Sequence, residues 1–224
     1  MRAILLPIKD VARAKQRLAG LLSPAECSAL AAAMAEDVFA AVRALRSPIR
    51  VFVVTSLDSA IRVAEVSGWS VIRETQQHSE SESVDFASRL CEDQGVTSLL
   101  RLPLDLPLLQ PADIDELLSV ELPSPGALLV SSRDSTGTNA LARNPPTLFA
   151  SQFGEGSFAK HIAAAQRTGA RIIFRRNPRI EMDVDDPADL QELLRHDLSA
   201  TATGRWLAAS GIPERLLRGK VSPA

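Results

Sequence analysis

Two groups of acidic residues are candidates for a functional site, and the first is a single aspartate that follows a short apolar run. Asp105 lies between Pro103 and Pro107, directly after the run at 99–102. Proline cannot extend a central ladder, so the predicted strand ends here with Asp105 at its carboxyl end. Ligands of open α/β sheets bind beside such strand ends. Asp105 is therefore a candidate metal or substrate ligand, with capping of the following turn or helix as an equal alternative.

The second acidic group is the pair Asp183 and Asp185, which alternate with two apolar residues. In an extended chain this spacing places both carboxylates on one side. Two carboxylates on one face repel each other unless a cation or a basic cluster joins them. The pair is a stronger metal signal than Asp105 alone, although Asp is also a common turn residue. Asp186 is predicted to N-cap the helix that follows.

Basic residues follow the first predicted strand, in the segment PIKDVARAKQRL. They are Lys9, Lys15 and Arg17. The loop after the first strand of an α/β unit is a common place for nucleotide phosphates. The segment has no P-loop or dinucleotide glycine spacing, which disfavours those two classes. The alternative interpretation is a solvated amphipathic helix with its cations turned outward.

Small polar residues in two later segments could hold an anion. The segment DSTGTNAL at 134–141 contains Asn139, and its hydroxyls and backbone N–H groups suit either an oxyanion or a tight turn. Gly154 and Ser157 precede a helix predicted at 158–168, where exposed N–H groups favour a phosphate or carboxylate. Plain N-capping by Ser157 is the alternative.

Composition limits the possible partners and chemistries. The chain has 224 residues, 46% of them hydrophobic, and a formal net charge of −2. This charge argues against a protein that coats nucleic acid, and no apolar run is long enough to cross a membrane. We therefore expect neither nucleic acid nor a membrane as a partner, and a cytoplasmic location. Cys27 and Cys91 match no metal or redox spacing and are predicted to be buried thiols. The three histidines lack suitable partners nearby in sequence, which disfavours a Ser-His-Asp or Cys-His mechanism.

Strand and helix patterns alternate along the chain, which predicts a mostly parallel, doubly wound α/β sheet. We predict one domain at 1–196 and a C-terminal appendage at 197–224 that packs on the domain or on a partner subunit, which leaves a homodimer open. The segment 74–83 is predicted to be a loop with His78 exposed. Strands are predicted at 3–8, 49–55, 69–73, 99–102, 127–131 and 171–175, with a short one ending at 141, and helices at 23–45, 58–67, 84–94, 111–120, 158–168 and from 187.

The separated acidic residues and the basic first loop together suit nucleotidyl transfer. In that reaction Mg²⁺ bridges a triphosphate, and cations stabilise the charge on the departing pyrophosphate. Five motifs follow one another along the chain: PIKDVARAKQRLAGLLSPAE, LPLDLPLL, GTNAL, FGEGSFAKH and DVDDPADL. In these motifs and in their order the chain resembles the CofC/FbiD-like guanylyltransferase family of coenzyme F420 biosynthesis, within the nucleotidyltransferase superfamily.

The resemblance implies a nucleotide-diphospho-sugar-transferase-like, three-layer α/β/α fold and a role for each motif. The implied Mg²⁺ ligands are Asp105, Asp185 and, as a third, Asp183. The implied nucleotide-binding residues are Lys9, Lys15 and Arg17, of which Lys15 and Arg17 join Asp105 in catalysis. The implied binding residues for a phosphorylated three-carbon acid are Asn139, Gly154 and Ser157.

The resemblance further implies transfer of GMP from GTP to 2-phospho-L-lactate or phosphoenolpyruvate, with a downstream transferase of the pathway as a candidate partner. One segment departs from the family: SESESVDFAS at 79–88 replaces a glycine-rich GGGLN-type segment. Its Glu80 and Glu82 would bring negative charge near a polyanion. Alternatives are another nucleotide or acceptor, of molybdopterin- or sugar-phosphate type, or a non-catalytic nucleotide-binding relative.

Overall fold

The computed structural model describes residues 1–9, 16–76 and 78–218, and the strands in these residues form one sheet. The strands are β1 (Arg2–Pro7), β2 (Arg50–Thr55), β3 (Ser70–Arg73), β4 (Ser98–Arg101), β5 (Gly126–Ser131), β6 (Thr138–Asn144) and β7 (Arg171–Phe174). Their order across the sheet is β3-β2-β1-β4-β6-β5-β7. The other neighbours are parallel, while β6 runs antiparallel to β4 and β5, so the predicted mostly parallel sheet is confirmed.

Helices connect most of these strands. They are α1 (Pro24–Arg43), α2 (Asp58–Val66), α3 (Glu80–Asp93), α4 (Pro111–Ser119), α5 (Ser157–Arg167), α6 (Pro178–Glu181), α7 (Pro187–Leu193), α8 (Ala202–Ser210) and α9 (Ile212–Arg218), with a 3-10 turn at Gln16–Leu18 before α1. None of the helices in the described ranges is long and apolar enough to span a membrane.

The helices cover both faces of the sheet because successive side chains of a buried strand point to opposite faces. Along β1, Ile4 and Leu6 pack in an apolar cluster with α1, α2 and α4. Ala3 and Leu5, on the other face, pack in a cluster with α3. Helix α5 packs on the same face as α3, over β5 and β6. This arrangement confirms the predicted three layers.

The described part of the C-terminal segment packs on α1 of its own chain. Leu207 and Ile212 share an apolar cluster with Leu30 of α1. The buried carboxylate of Asp37, also on α1, accepts hydrogen bonds from the backbone N–H and the hydroxyl of Thr203 at 3.0 and 2.5 Å. A helix from the first part of the sequence therefore caps the N-terminus of α8.

Two predictions about helix starts are wrong. Helix α3 begins at Glu80 and not at 84, because the Ser79 hydroxyl accepts the backbone N–H of Glu82 at 3.1 Å and caps the helix. Residues 80–83 therefore belong to a helix and not to the predicted loop, while His78 is exposed as predicted. Helix α5 begins at Ser157 itself, and its N-cap is Gly156 in a left-handed conformation with φ of 66°. Ser157 is therefore not the N-cap.

Candidate active site

The carboxyl ends of the parallel strands β1, β2, β3 and β4 meet at one edge of the sheet. The antiparallel strand β6 starts at the same edge, since its Leu141 pairs with Arg101 at the end of β4. The segments that leave this edge carry Lys9, Glu74 and Asp105, and β6 begins there with Thr138 and Asn139. Three of the predicted site residues, Lys9, Asp105 and Asn139, therefore come from this edge of the sheet.

The structure brings Asp105 near enough to Asp183 for its charge to act on that residue, although almost 80 residues separate the two in sequence. The pKa of Asp183 is raised to about 7, first by burial, then by the charge of Asp105, and also by the charge of Asp185. A hydrogen bond from the amide of Asn139 to Asp183 acts in the opposite direction. The same amide donates to the Ile180 carbonyl at 2.9 Å, which fixes its position. The charges of Asp105 and Asp185 and the amide of Asn139 thus all act on the buried carboxyl group of Asp183.

These carboxylates supply the oxygen donors that Mg²⁺ prefers. Among residues 1–9, 16–76 and 78–218, no three His, Cys, Asp or Glu side chains are already grouped as ligands of a metal ion. Asp105 and Asp185 nevertheless lie close enough to Asp183 to disfavour its charged form. A divalent cation between the carboxylates would replace this repulsion by attraction. The chemical types of these donors therefore suit Mg²⁺, while in the described residues no three of them are arranged to hold a metal ion.

The predicted phosphate-binding cations are described only in part. Lys9, just beyond β1, is half-buried, and burial lowers its pKa against the opposing effect of Glu80, Glu74 and Glu82. Arg17 is exposed within the 3-10 turn before α1. Lys15 lies outside the described residues. Their roles towards a nucleotide remain predictions.

A buried polar chain connects the start of β6 with the start of α5. His161 is 0% exposed, and its Nε2 accepts the backbone N–H of Gln152 at 2.9 Å. Because Nε2 accepts, Nδ1 carries the proton and donates to the hydroxyl of Thr138 at 3.0 Å. The Ser157 hydroxyl also donates to the Thr138 oxygen, at 3.3 Å. His161 therefore positions Thr138 and, through it, Ser157.

His161 is neutral in this environment. Burial lowers its pKa to about 3, and the charges of Arg143 and Arg101 act in the same direction. A histidine that stays neutral at physiological pH and keeps both ring nitrogens in hydrogen bonds is a structural residue.

Gly154 and Ser157 lie at the N-terminal end of α5, as predicted, and Gly154 has a φ of 108° that suits glycine. Two backbone N–H groups there already donate within the chain. That of Ser157 donates to the Gly154 carbonyl at 3.0 Å, and that of Phe158 donates to the Thr136 carbonyl at 3.1 Å. Ser157 is also only 2% exposed. The backbone N–H groups of Ser157 and Phe158 are therefore already engaged, and a ligand at the start of this helix would have to bind to other groups. The substrate-binding role of Asn139, Gly154 and Ser157 remains a prediction.

Arg101 is a buried cation at this edge that the sequence reasoning missed. Its guanidinium donates to the Thr138 carbonyl at 3.3 Å, forms an ion pair with Glu80, and lies 4.2 Å from the centroid of the Phe153 ring. Leucines flank Arg101 on both sides in the run at 99–102, so the run was interpreted as a buried apolar strand and the arginine was overlooked. The sequence does contain one indication of its role: a single arginine at the end of a buried strand requires a partner for its charge.

The fold and the acidic edge of the sheet define a class of protein. The structure resembles that of a protein from Desulfovibrio desulfuricans G20 named for the nucleotide-diphospho-sugar transferases, with a TM-score of 0.76 at 16% identity and 97% of each chain covered. It also resembles a cytidylyltransferase from Leptospira borgpetersenii, with a TM-score of 0.58 at 12% identity over 100% of this chain and 99% of the other. The fold is that of the nucleotidyltransferases.

The family described as "Guanylyl transferase CofC like" matches residues 1–215, and the chain belongs to it. A phosphoenolpyruvate guanylyltransferase of Conexibacter woesei is 34% identical over 215 residues, or 96% of each chain. A 3-phospho-D-glycerate guanylyltransferase of Phenylobacterium zucineum is 31% identical over 87% of this chain and 90% of its own. A 2-phospho-L-lactate guanylyltransferase of Methanothermobacter thermautotrophicus is 27% identical over 86% and 83%. The chain is accordingly an enzyme of the nucleotidyltransferase class, as its motifs predicted.

Proposed function

We propose that this enzyme transfers GMP from GTP to a phosphorylated three-carbon acid, with Mg²⁺ and release of pyrophosphate. The observation that carries the proposal is that the charges of Asp105 and Asp185 both act on the buried carboxyl group of Asp183. Family membership supports guanylyl transfer as the reaction. The predicted phosphate-binding cation Lys9 belongs to the same edge.

In the proposed reaction, a phosphate oxygen of the acceptor attacks the α-phosphorus of GTP in line. The new bond joins the acceptor to that phosphorus, while the bond to the bridging oxygen breaks and pyrophosphate leaves with the electron pair. Mg²⁺ held by Asp105, Asp185 and Asp183 would reduce the negative charge that the acceptor must approach. Lys9, Lys15 and Arg17 would stabilise pyrophosphate as it departs. Catalysis then consists mainly of positioning and charge stabilisation.

The acceptor is proposed to lie between the start of β6 and the start of α5. Asn139, Gly154 and Ser157 would contact it there, with Thr138 and His161 holding Ser157 in place. Relatives act by name on phosphoenolpyruvate, 2-phospho-L-lactate and 3-phospho-D-glycerate. We propose phosphoenolpyruvate or 2-phospho-L-lactate, in coenzyme F420 biosynthesis, as the first candidates, and 3-phospho-D-glycerate as the second candidate because of the relative named for it.

Pyrophosphate release tests the proposal directly. The purified protein is mixed with Mg²⁺, one of the four common nucleoside triphosphates and one of the three acids, and the guanylylated product is identified by mass spectrometry. We expect release only when GTP and one of the acids are both present. Measurable GTP binding without release for any acid would indicate a nucleotide-binding protein without this activity and would refute the proposal.

A further inference from the structure

A carboxylate outside the proposed metal site holds the backbone that carries Asp185. Asp189 lies in the first turn of α7, and its Oδ2 atom accepts the backbone N–H groups of Asp185 and Asp186 at 3.1 and 3.3 Å. The bond from Asp186 belongs to the capping box of this helix. The bond from Asp185 reaches one residue further back along the chain. Asp189 therefore fixes the peptide group that presents the Asp185 side chain.

The other oxygen of Asp189 forms an ion pair with a residue from the middle of the chain. Arg133 follows β5, and its Nη2 atom donates to Oδ1 of Asp189 at 2.8 Å. This hydrogen bond raises the pKa of Arg133, and the charges of Glu192 and Asp186 act in the same direction. The guanidinium of Arg133 therefore lies at the start of α7. Asp189 uses one oxygen for Arg133 and the other for the backbone of the acidic segment.

Strands β5 and β6 contact the same segment at two further points. The backbone N–H of Arg133 donates to the Glu181 carbonyl, and the amide of Asn139 donates to the Ile180 carbonyl, both at 2.9 Å. Between the two aspartates, the side chain of Val184 is 0% exposed and packs in the apolar cluster that includes α7. The segment is thus held by apolar packing on one side and by polar contacts on the other.

We propose that Arg133 and Asp189 are positioning residues that hold the carboxylate of Asp185 in place for a divalent cation. The proposal rests on the proposed function and adds two residues that act on the cation through Asp185. A carboxylate ligand must face the cation at a fixed distance, so the backbone that carries it must be fixed as well. Loss of a residue that orients a metal ligand typically lowers metal affinity about 10- to 100-fold.

Removal of Arg133 separates positioning from a simple effect of charge. Because Arg133 is a cation, its loss by itself would make the acidic edge more negative and would strengthen the binding of a divalent cation. If Arg133 instead acts by holding Asp189 and hence Asp185, its loss weakens that binding although the negative charge increases. The two effects have opposite signs, so the direction of the change decides between them.

The decisive variant is Arg133→Met, which removes the charge and keeps a long, unbranched side chain. Mn²⁺ prefers the same oxygen ligands as Mg²⁺ and can be followed by the EPR signal of the free ion. We expect the Kd of Mn²⁺, measured without nucleotide, to rise at least about 10-fold. We also expect faster hydrogen exchange of the backbone around Asp185 in the metal-free variant. Arg133→Lys keeps a cation at this position and should restore most of the affinity.

Arg195→Met is a matched control. Arg195 is exposed, and its ion pair with Glu192 at 2.6 Å lies beyond the other end of α7, so this variant loses the same charge and a similar contact. It should leave the Kd of Mn²⁺ and the hydrogen exchange around Asp185 close to those of the unmodified protein. A general weakening of α7 would affect both variants, whereas positioning of Asp185 affects only Arg133→Met.

An unchanged or lower Kd of Mn²⁺ in Arg133→Met would overturn the inference, as would an unmodified protein that binds no Mn²⁺. A higher KM for the phosphorylated acid with the affinity for Mn²⁺ intact would also overturn it, because that result would mean that Arg133 contacts the substrate. Failure of the proposed function has a different signature. In that case Mn²⁺ binding still depends on Arg133, but no acid supports pyrophosphate release from GTP.

Discussion

The neutral, buried His161 makes the free energy of unfolding depend on pH. Its pKa is about 3 in the folded protein and about 6.5 in the unfolded chain. The unfolded chain therefore takes up a proton at a pH where the folded protein does not. The stability contribution is complete above pH 6.5 and is lost as the pH falls from 6.5 towards 3. Between about pH 7.5 and about pH 5, this single group should lower the free energy of unfolding by about 2 kcal/mol.

The assay is urea denaturation at these two pH values, for the unmodified protein and for His161→Asn. Asparagine does not titrate, and its amide can still donate towards Thr138, but the N–H of Gln152 loses its partner. We expect the variant to be less stable at both pH values and to show about 2 kcal/mol less loss on acidification. His196→Asn, at an exposed position, is the control and should follow the unmodified protein.

The reasoning would be refuted if His161→Asn lost as much stability on acidification as the unmodified protein. That result would mean that the imidazole binds a proton equally well in both states, and hence that its two hydrogen bonds and the neighbouring arginines do not exclude the charged form. A selective effect of His196→Asn would refute it equally.

Two further predictions concern carboxylates with different tasks. Asp105→Asn should lower kcat by at least about 100-fold, with the melting temperature unchanged within a few degrees, because the variant lacks a proposed Mg²⁺ ligand. The rate of pyrophosphate release at steady state measures kcat, and Asp93→Asn, on the exposed surface, is the control. A near-normal rate in Asp105→Asn would show that Asp105 does not belong to the site. Asp37→Ala should lower the free energy of unfolding by about 2 kcal/mol, because the N–H and hydroxyl groups at the start of α8 lose their acceptor. Urea denaturation measures this loss, and an unchanged midpoint would show that solvent replaces the carboxylate.

The sequence predicted the sheet and the position of the acidic edge, because both depend on local patterns. Alternating strands and helices define a parallel sheet, and the proline after each acidic segment marks where an element begins or ends. These patterns place Asp105 at the carboxyl end of a strand, whereas its association with Asp183 came from the family resemblance. Their proximity, expressed in the raised pKa of Asp183, is a tertiary property that the spacing alone could not establish.

The position and direction of β6 could not be read from the sequence. This strand inserts between β4 and β5 and runs antiparallel to both, which depends on which strand edges remain available after the rest of the sheet has formed. Arg101 was missed for a related reason. Its burial depends on Glu80 of α3, Thr138 of β6 and Phe153 of the loop before α5. Periodicity classifies a position by its neighbours in sequence and therefore cannot identify such a cation.

The segment SESES was predicted to be a loop, but most of it forms the first turn of α3. The sequence suggested that Glu80 and Glu82 would repel a polyanion. In the structure Glu80 forms an ion pair with the buried Arg101, so its charge is compensated within the chain. Glu82 is exposed in the first turn of α3, where the helix dipole favours an acidic side chain. Both carboxylates nevertheless act on Lys9, together with Glu74. A triphosphate held beside Lys9 would therefore need a cation such as Mg²⁺ to offset their charge.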